Sequence, residues 1–336
     1  MANLRAGLIG LGMMGRHHAR VLSSLEGVDL VAVADPAGDT FGVAGSRPLL
    51  ATISELIEQR IDYCVVAVPT RFHEEVALAL ASAGVHALIE KPISHDAASS
   101  LRIVEAFENA GLIGGVGHIE RYNSAIQQAR VRIGNGDLGD IYQVVTRRIG
   151  PFPGRIADVG VIKDLATHDV DLTTWVTQQK FVTVSAHTGF KSGREHEDLV
   201  AAIGKLSFGT VTNHLVNWLS PLKERTTVIT GERGTFVADT LTADLTFFAN
   251  GSVETTWSEL SQFRGVSEGD SIRYAFPKPE PLKVEHESFR DAIMTGDGEV
   301  VSLRQGMEIV HVAEACIQSA SNAGTAVSIP VTTQNQ

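Results

Sequence analysis

The sequence predicts an α/β protein whose first third is a doubly wound parallel sheet. Short apolar β-rich runs alternate with helical patterns as far as His118. A glycine-rich turn sits where the first strand would pass into the first helix. The second half changes character and reads as successive strands broken by turn signals.

Taken in order, "AGLIG" (6–10) is an apolar strand, "MGRHHARVLSSL" (14–25) a helix and "VDLVAVAD" (28–35) the next strand. Helix signal is thin between Asp35 and Ile53, so one crossover is expected to be short or irregular. "ISELIEQ" is a helix, "DYCVVAVP" (62–69) a strand, "RFHEEVALALASAG" (71–84) a helix and "HALIE" (86–90) a strand. A helix over 94–111 takes Ser94 as N-cap, with Gly111 past its end, and "IGGVGH" (113–118) is a further strand. The runs beginning at Asp140, Phe181, Leu199, Gly209, Arg225 and Leu245 read as the strands of the second half.

The chain has 336 residues, enough for two domains, with hydrophobic content of 43% and charged content of 20%. A net charge of −11 argues against a general nucleic-acid binder, which needs a basic surface to meet phosphates. No run approaches 18 apolar residues, and glycines break the apolar N-terminus, so no membrane partner is expected. Two cysteines, Cys64 and Cys316, lie in apolar surroundings and imply no disulfide framework. The expectation is a soluble cytoplasmic protein. No tight His, Cys, Asp or Glu spacing suggests a metal site.

"GLGMMG" places Gly10, Gly12 and Gly15 in the G-x-G-x-x-G pattern, after a strand and opening a helix. Gly10 would permit the tight turn, Gly12 the approach of a pyrophosphate, and Gly15 close helix–strand packing. Met13 and Met14, inside the pattern and at the start of the helix over 14–25, whose N-terminus attracts phosphate, join the expected cofactor set. Asp35 ends the next strand, 20 residues beyond Gly15. Its carboxylate would accept hydrogen bonds from ribose hydroxyls and repel a 2′-phosphate. Pro36, Ala37 and Gly38 provide no compensating Arg, so NAD is expected over NADP.

Glu90 and Lys91 close a strand before Pro92, and ligands bind at the carboxyl ends of strands in such sheets. Lys91 is therefore expected near both nicotinamide and substrate. The Lys91–Pro92 bond could be cis or trans. Val68, Pro69 and Thr70, with His73 just beyond, are expected with Glu90 to line the cofactor pocket. Arg121, Tyr122 and Asn123 either reach the same cleft or serve as an interdomain connector. His17 and His18 read as partly buried or surface imidazoles.

"KDLATHDVDLTTW" (163–175) reads as one helix with two faces. Leu165 and Leu172 lie on the apolar face. Asp164, His168 and Asp171 share the other, at spacings of four and three. Asp171 reads as a helix-surface carboxylate or as an orienting partner for His168.

The glycine turn, Asp35, Glu90-Lys91-Pro92 and Asp164-x-x-x-His168 together resemble the glucose–fructose oxidoreductase/inositol dehydrogenase (Gfo/Idh/MocA) family. The resemblance extends to "EHESFRDAI" and "GMEIVHVAEACIQSASNAG" near the C-terminus. It implies an NAD-binding Rossmann domain over 1–121, then a substrate and oligomerisation domain over 122–336 with a large open, mostly antiparallel sheet. Such a sheet would leave an apolar face exposed unless it pairs with another subunit, and a homodimer or homotetramer is expected. The family's catalytic lysine falls on Lys91, and its Asp and His fall on Asp164 and His168. Arg121, Tyr122, Asn123 and Arg155 join these as expected substrate contacts. The implied activity is NAD-dependent oxidation of a sugar hydroxyl. "GHIERYN" and the stretch from Thr146 to Leu172 are similar to UDP-N-acetylglucosamine 3-dehydrogenases within the family. Arg147, Arg148, Arg155 and Lys163 would then meet a diphosphate, or else pair with nearby acidic groups. Strand alternation puts Arg147 and Arg148 on opposite faces. An inositol, polyol or free-sugar dehydrogenase is the alternative, and a non-catalytic NAD-binding regulatory protein a remote one.

Overall fold

A computed structural model describes residues 2–154, 159–251 and 269–330. The chain forms two compact units, Met1–Tyr122 with Pro279–Glu314 and Asn123–Lys278 with Ala315–Gln336. A single crossing between 121 and 122 was expected. Instead the segment Pro279–Glu314 returns to the first unit.

The first unit is built on strands β1 (Leu4–Ile9), β2 (Val28–Ala34), β3 (Leu49–Leu50), β4 (Tyr63–Val66), β5 (His86–Glu90) and β6 (Gly114–Gly117). They form one sheet in the order β3-β2-β1-β4-β5-β6, every pair parallel. Helices α1 (Met13–Leu22), α2 (Ile53–Ile57), α3 (His73–Ser82) and α4 (Ala97–Asn109) make the crossovers. Both sheet faces are covered, which is why the strands read as continuous apolar runs. On one face Ala6, Leu8, Tyr63, Val65 and Leu88 pack with Ala19 and Leu22 of α1. On the other, Cys64, Val66, Ala87 and Ile89 pack with Leu80 of α3 and Phe107 of α4.

The returning segment adds one helix to each face. Phe289 of α7 (Pro281–Thr295) is 1% exposed and meets Tyr63 edge-on at 5.6 Å. Leu303, Met307 and Val310 of α8 (Leu303–Ser321) join the opposite core. Burying a side chain such as Phe289 stabilises by about 2–3 kcal/mol. Apolar periodicity shows that these helices need a core, but not which sheet supplies it. At α4 the expected cap is displaced: Asp96, not Ser94, accepts from Ser99 N–H at 2.7 Å. Ser94 instead donates to the carbonyl of Asp96 at 2.7 Å.

The second unit carries β7 (Ile141–Pro151), β8 (Phe181–Gly189), β9 (Leu199–Leu206), β10 (Val211–Asn217), β11 (Leu219–Gly231), β12 (Gly234–Asp239), β13 (Asp244–Ala249), β14 (Ser271–Arg273) and β15 (Val327–Ser328). Their order is β14-β13-β12-β11-β7-β10-β9-β8-β15, with β7–β10 parallel and the other pairs antiparallel. The run from Arg225 is a hairpin, β11 into β12, rather than one strand. Helices α5 (Ser124–Gly134) and α6 (Thr167–Thr177) cover one face, where Ala125, Ile126, Leu172, Trp175 and Val176 meet Val144, Ile229, Phe236 and Ala238. The opposite face was expected to be apolar but is mixed. Ile203 and Val211 are exposed there among Gln143, Arg147, Lys205 and Asn213.

Candidate active site

In the first unit the glycine turn joins β1 to α1. Gly10 has φ +92°, and a Cβ there would lie 2.5 Å from the backbone of Ala67 on β4's exit. At Gly15 a Cβ would stand 1.9 Å from the carbonyl oxygen of Gly10. Gly12 differs: a Cβ would meet nothing within 4 Å. It is the N-cap of α1, with no side-chain cap bond and no acidic residue in the first turn, so no side chain of that turn competes for the helix N–H groups. That is the cradle a pyrophosphate needs. Met13 and Met14 form the helix's first turn.

Asp35 lies just past β2. One carboxylate oxygen accepts from Leu11 N–H at 2.8 Å, and the other from Ala37 N–H at 2.8 Å. These bonds fix the carboxylate beside the glycine turn, and each oxygen keeps a second lone pair for a ribose hydroxyl. The residues present therefore fit a dinucleotide.

Val68 and Thr70 are half-buried after β4, and Pro69 is exposed. His73 is 1% exposed, with Nδ1 2.9 Å from the carbonyl of Pro92 and Nε2 2.9 Å from that of Val68. Burial pushes its pKa down, and the ring sits between the turn after β4 and the turn at Pro92. Both ring nitrogens face backbone carbonyls, so the ring braces the turns that carry Val68 and Pro92.

Lys91 is half-buried and its bond to Pro92 is cis. Its N–H donates to Oε2 of Glu90 at 3.1 Å. The other Glu90 oxygen lies 2.9 Å from His18 Nε2, and His18 is fully buried. Glu90 thus braces the turn, and His18 is no surface imidazole. Its partners, Glu90 and His286, are remote in sequence, and no local pattern marks them.

Arg121, Tyr122 and Asn123 support the connector expectation. Arg121 donates to Gln305 at 3.1 Å and Tyr122 OH to the carbonyl of Glu299 at 3.0 Å, and both residues are buried. Asn123 caps α5: Oδ1 accepts from Ala125 N–H at 3.0 Å, while Nδ2 donates to the carbonyl of Thr240 at 3.0 Å.

In the second unit, "KDLATHDVDLTTW" is not one α-helix. Ile162–Ala166 is a π-helical turn that passes into α6 at Thr167. π-turns widen the helix and recur at functional sites. Glu197 holds the start of this turn: its Oε1 accepts from Ile162 N–H at 3.0 Å, and its carbonyl from Val161 N–H at 3.0 Å. Gly160 leaves the room, because a Cβ there would overlap the Glu197 carboxylate at 2.0 Å. Arg194 donates to the carbonyl of Val159 at 3.2 Å. Glu197 and Arg194 are supports that sequence spacing could not reveal.

Asp164 is 6% exposed within the π-turn, and His168 is half-buried one residue into α6. Asp171 is completely buried, which overturns the surface reading of that carboxylate. Leu172 is core, but Leu165 is only partly buried, and Ile162 at 1% exposure anchors the turn in its stead. Arg147 and Arg148 do point to opposite faces. Arg148 Nε lies 3.1 and 3.0 Å from the two oxygens of Asp169, with both residues buried. Arg147 lies 3.4 Å from Glu224. Arg155 lies outside the described residues. Among the described residues no group of three or more His, Cys, Asp or Glu could hold a metal ion.

Residues 4–118 match the model of an oxidoreductase family with an NAD-binding Rossmann fold, and residues 126–237 match the GFO/IDH/MocA C-terminal domain. The chain belongs to the Gfo/Idh/MocA family. Its cofactor is NAD. Among curated relatives, the UDP-N-acetylglucosamine 3-dehydrogenase of Acidithiobacillus ferrooxidans is 33% identical over 216 residues, 63% of this chain and 66% of that protein. Inositol 2-dehydrogenase 2 of Saccharopolyspora erythraea is 31% identical over 204 residues, 58% of this chain and 60% of its own length. Both alignments fall short of two thirds of the relatives' lengths. Among solved structures, that of the same Acidithiobacillus ferrooxidans dehydrogenase superposes with a TM-score of 0.83 at 25% identity, covering 96% of this chain and 99% of the other. A levoglucosan dehydrogenase in complex with NADH and L-sorbose shares the fold, with a TM-score of 0.83 at 20% identity over 98% of this chain and 100% of the other.

Proposed function

We propose that this member of the family oxidises a secondary hydroxyl of a sugar with NAD, and that its substrate is a UDP-N-acetylhexosamine oxidised at C3. The observation that carries the reading is a dinucleotide cradle at Gly12 and Asp35 in the first unit, together with a buried Asp164 on a π-turn and a half-buried His168 at the start of α6 in the second. Bound NAD supplies the hydride acceptor. His168 takes the hydroxyl proton, because an imidazole titrates near neutral pH. Lys91 hydrogen-bonds the same hydroxyl and stabilises the charge that develops on its oxygen. Asp164 contacts the substrate or orients the site.

The 33% identity to a UDP-N-acetylglucosamine 3-dehydrogenase supports the nucleotide sugar. The engagement of Arg147 with Glu224 and of Arg148 with Asp169 removes two of the four cations first considered for a diphosphate. That loss, with the 31% identity to an inositol 2-dehydrogenase, favours a polyol as the second reading. A homo-oligomer would use the mixed outer face of the nine-stranded sheet. Among the described residues no helix is long and apolar enough to cross a membrane, and the buried thiols of Cys64 and Cys316 suit a cytoplasmic setting.

The test is an NAD-reduction screen across UDP-sugars, inositols and free sugars. Turnover with UDP-N-acetylhexosamines is the expected result. Turnover with inositol and no UDP-sugar would reverse the ranking. In the same assay NAD should be reduced in preference to NADP. Asp35→Ser should raise KM for NAD by about 10- to 100-fold, as loss of bonds to a charged acceptor does. A wild-type enzyme that prefers NADP at equal concentration contradicts the role given to Asp35.

A further inference from the structure

Buried titratable groups line up in the first unit in an arrangement the proposed chemistry does not use directly. His18 in α1 has its Nδ1 2.9 Å from Nε2 of His286 in α7. Its Nε2 lies 2.9 Å from Oε1 of Glu90 at the end of β5, and Oε2 of Glu90 accepts from Lys91 N–H at 3.1 Å. His18 and His286 are each at most 1% exposed. The line runs from His286 through His18 and Glu90 to the backbone of Lys91.

Hydrogen-bond directions follow from charge and burial. Burial alone would raise the Glu90 carboxyl, but the hydrogen bond from His18, with the charge and N–H of Lys91, holds it below its ordinary value. It is therefore a carboxylate, an acceptor only. Burial pushes His286 well below the ordinary imidazole value, so that ring is neutral. Nδ1 of His286 has no hydrogen-bond partner. The arrangement that strands no N–H has His286 Nε2–H donating to His18 Nδ1, and His18 Nε2–H donating to Glu90. Reversal would leave a buried N–H of His286 without an acceptor, which costs about 1–3 kcal/mol. Room for the carboxylate comes from Gly117 of β6, where a Cβ would press within 3.3 Å of Glu90 Cδ. Two imidazoles and a carboxylate are a poor way to fill a core, because apolar residues of similar volume stabilise as well or better. Stability does not account for them.

We infer that His18 and His286 are positioning residues that hold the Glu90 carboxylate on the Lys91 N–H and so fix the turn presenting the Lys91 amine. This rests on the proposed dehydrogenase function. It predicts that His18→Leu lowers kcat by about 10- to 100-fold, the effect of losing a hydrogen bond to a buried charge. The sugar KM and the dissociation constant for NAD should change by less than about twofold, since the line does not touch the glycine turn. His18→Gln retains an N–H directed at Glu90 and should restore kcat to within about fivefold of wild type. Glu90→Gln should lower kcat comparably, and adding H18L to E90Q should cost less than about twofold more, because both act through one carboxylate.

A correctly folded H18L with wild-type kcat, equal losses in H18L and H18Q, or full multiplication of the H18L and E90Q effects would each overturn the inference. If H18L does not fold, His286→Leu replaces it: the His18–Glu90 bond remains but loses its anchor, and a kcat loss of about three- to tenfold is expected. If wild-type protein reduces NAD with no hydroxyl substrate, the functional reading fails by itself. The inference is then read without turnover, from the 13C signal of reductively methylated Lys91. That signal should move in H18L and E90Q but stay in place in H18Q; a signal unmoved in all three overturns it.

Discussion

Lys91→Met should lower kcat by about a thousandfold while the dissociation constant for NAD stays within about twofold of wild type. Met keeps much of the side chain's length and apolar body but has neither charge nor N–H to donate. Loss of one donor to a developing oxyanion costs about 100- to 1,000-fold, and loss of its positive charge puts Lys91 at the upper end. NAD binding should survive because the cradle at Gly10, Gly12 and Asp35 is built on other turns. Stopped-flow reduction of NAD separates the two effects: a lost hydride step with normal cofactor affinity is expected. Unchanged turnover would remove Lys91 from the chemistry. A matching loss of NAD affinity would make it a cofactor ligand.

The second large effect is on stability. Arg148 and Asp169 are 3% and 2% exposed, and the guanidinium nitrogen Nε reaches both carboxylate oxygens at 3.1 and 3.0 Å. The pair ties α6 to β7, with His168 the residue next to the buried carboxylate. Arg148→Met leaves Asp169 buried without this cation and should destabilise the second unit by about 3–5 kcal/mol. Its thermal midpoint should fall by about 10 °C for a unit of this size. The double replacement R148M with Asp169→Leu should recover most of that loss, since an apolar pair of similar volume is often neutral. Calorimetry of the three proteins decides this. Equal stability of R148M and wild type would show that the pair contributes little, and failure of the double replacement to recover would assign the loss to packing.

Much of the architecture was legible because local periodicity and turn chemistry act over short stretches. The strand–helix alternation, the glycine turn and Asp35 could all be read that way. What escaped reading depends on partners far along the chain. Nothing near His18 announces Glu90 or His286, so a fully buried hydrogen-bonded ring looked like a partly buried or surface imidazole. The connector residues Arg121, Tyr122 and Asn123 carry the polar groups of a binding site, yet Gln305, Glu299 and Thr240 take up the hydrogen bonds. Asp164 and His168 sit at the spacing of an ordinary helix face. The π-turn observed there is accompanied by the Glu197 bonds at its start, with Gly160 making room, and neither is visible in the spacing. The return of Pro279–Glu314 to the first unit was hidden for a related reason, since an amphipathic helix states its need for a core without naming it.

The central claim is that hydride leaves a carbinol carbon for NAD while protein side chains manage the hydroxyl proton. It is tested most directly with the best substrate from the screen, deuterated at the carbon that is oxidised. The account predicts deuterium at C4 of the nicotinamide in the reduced cofactor, with none released to water during the oxidation step. Deuterium released to water, or reduced cofactor free of label, would contradict it.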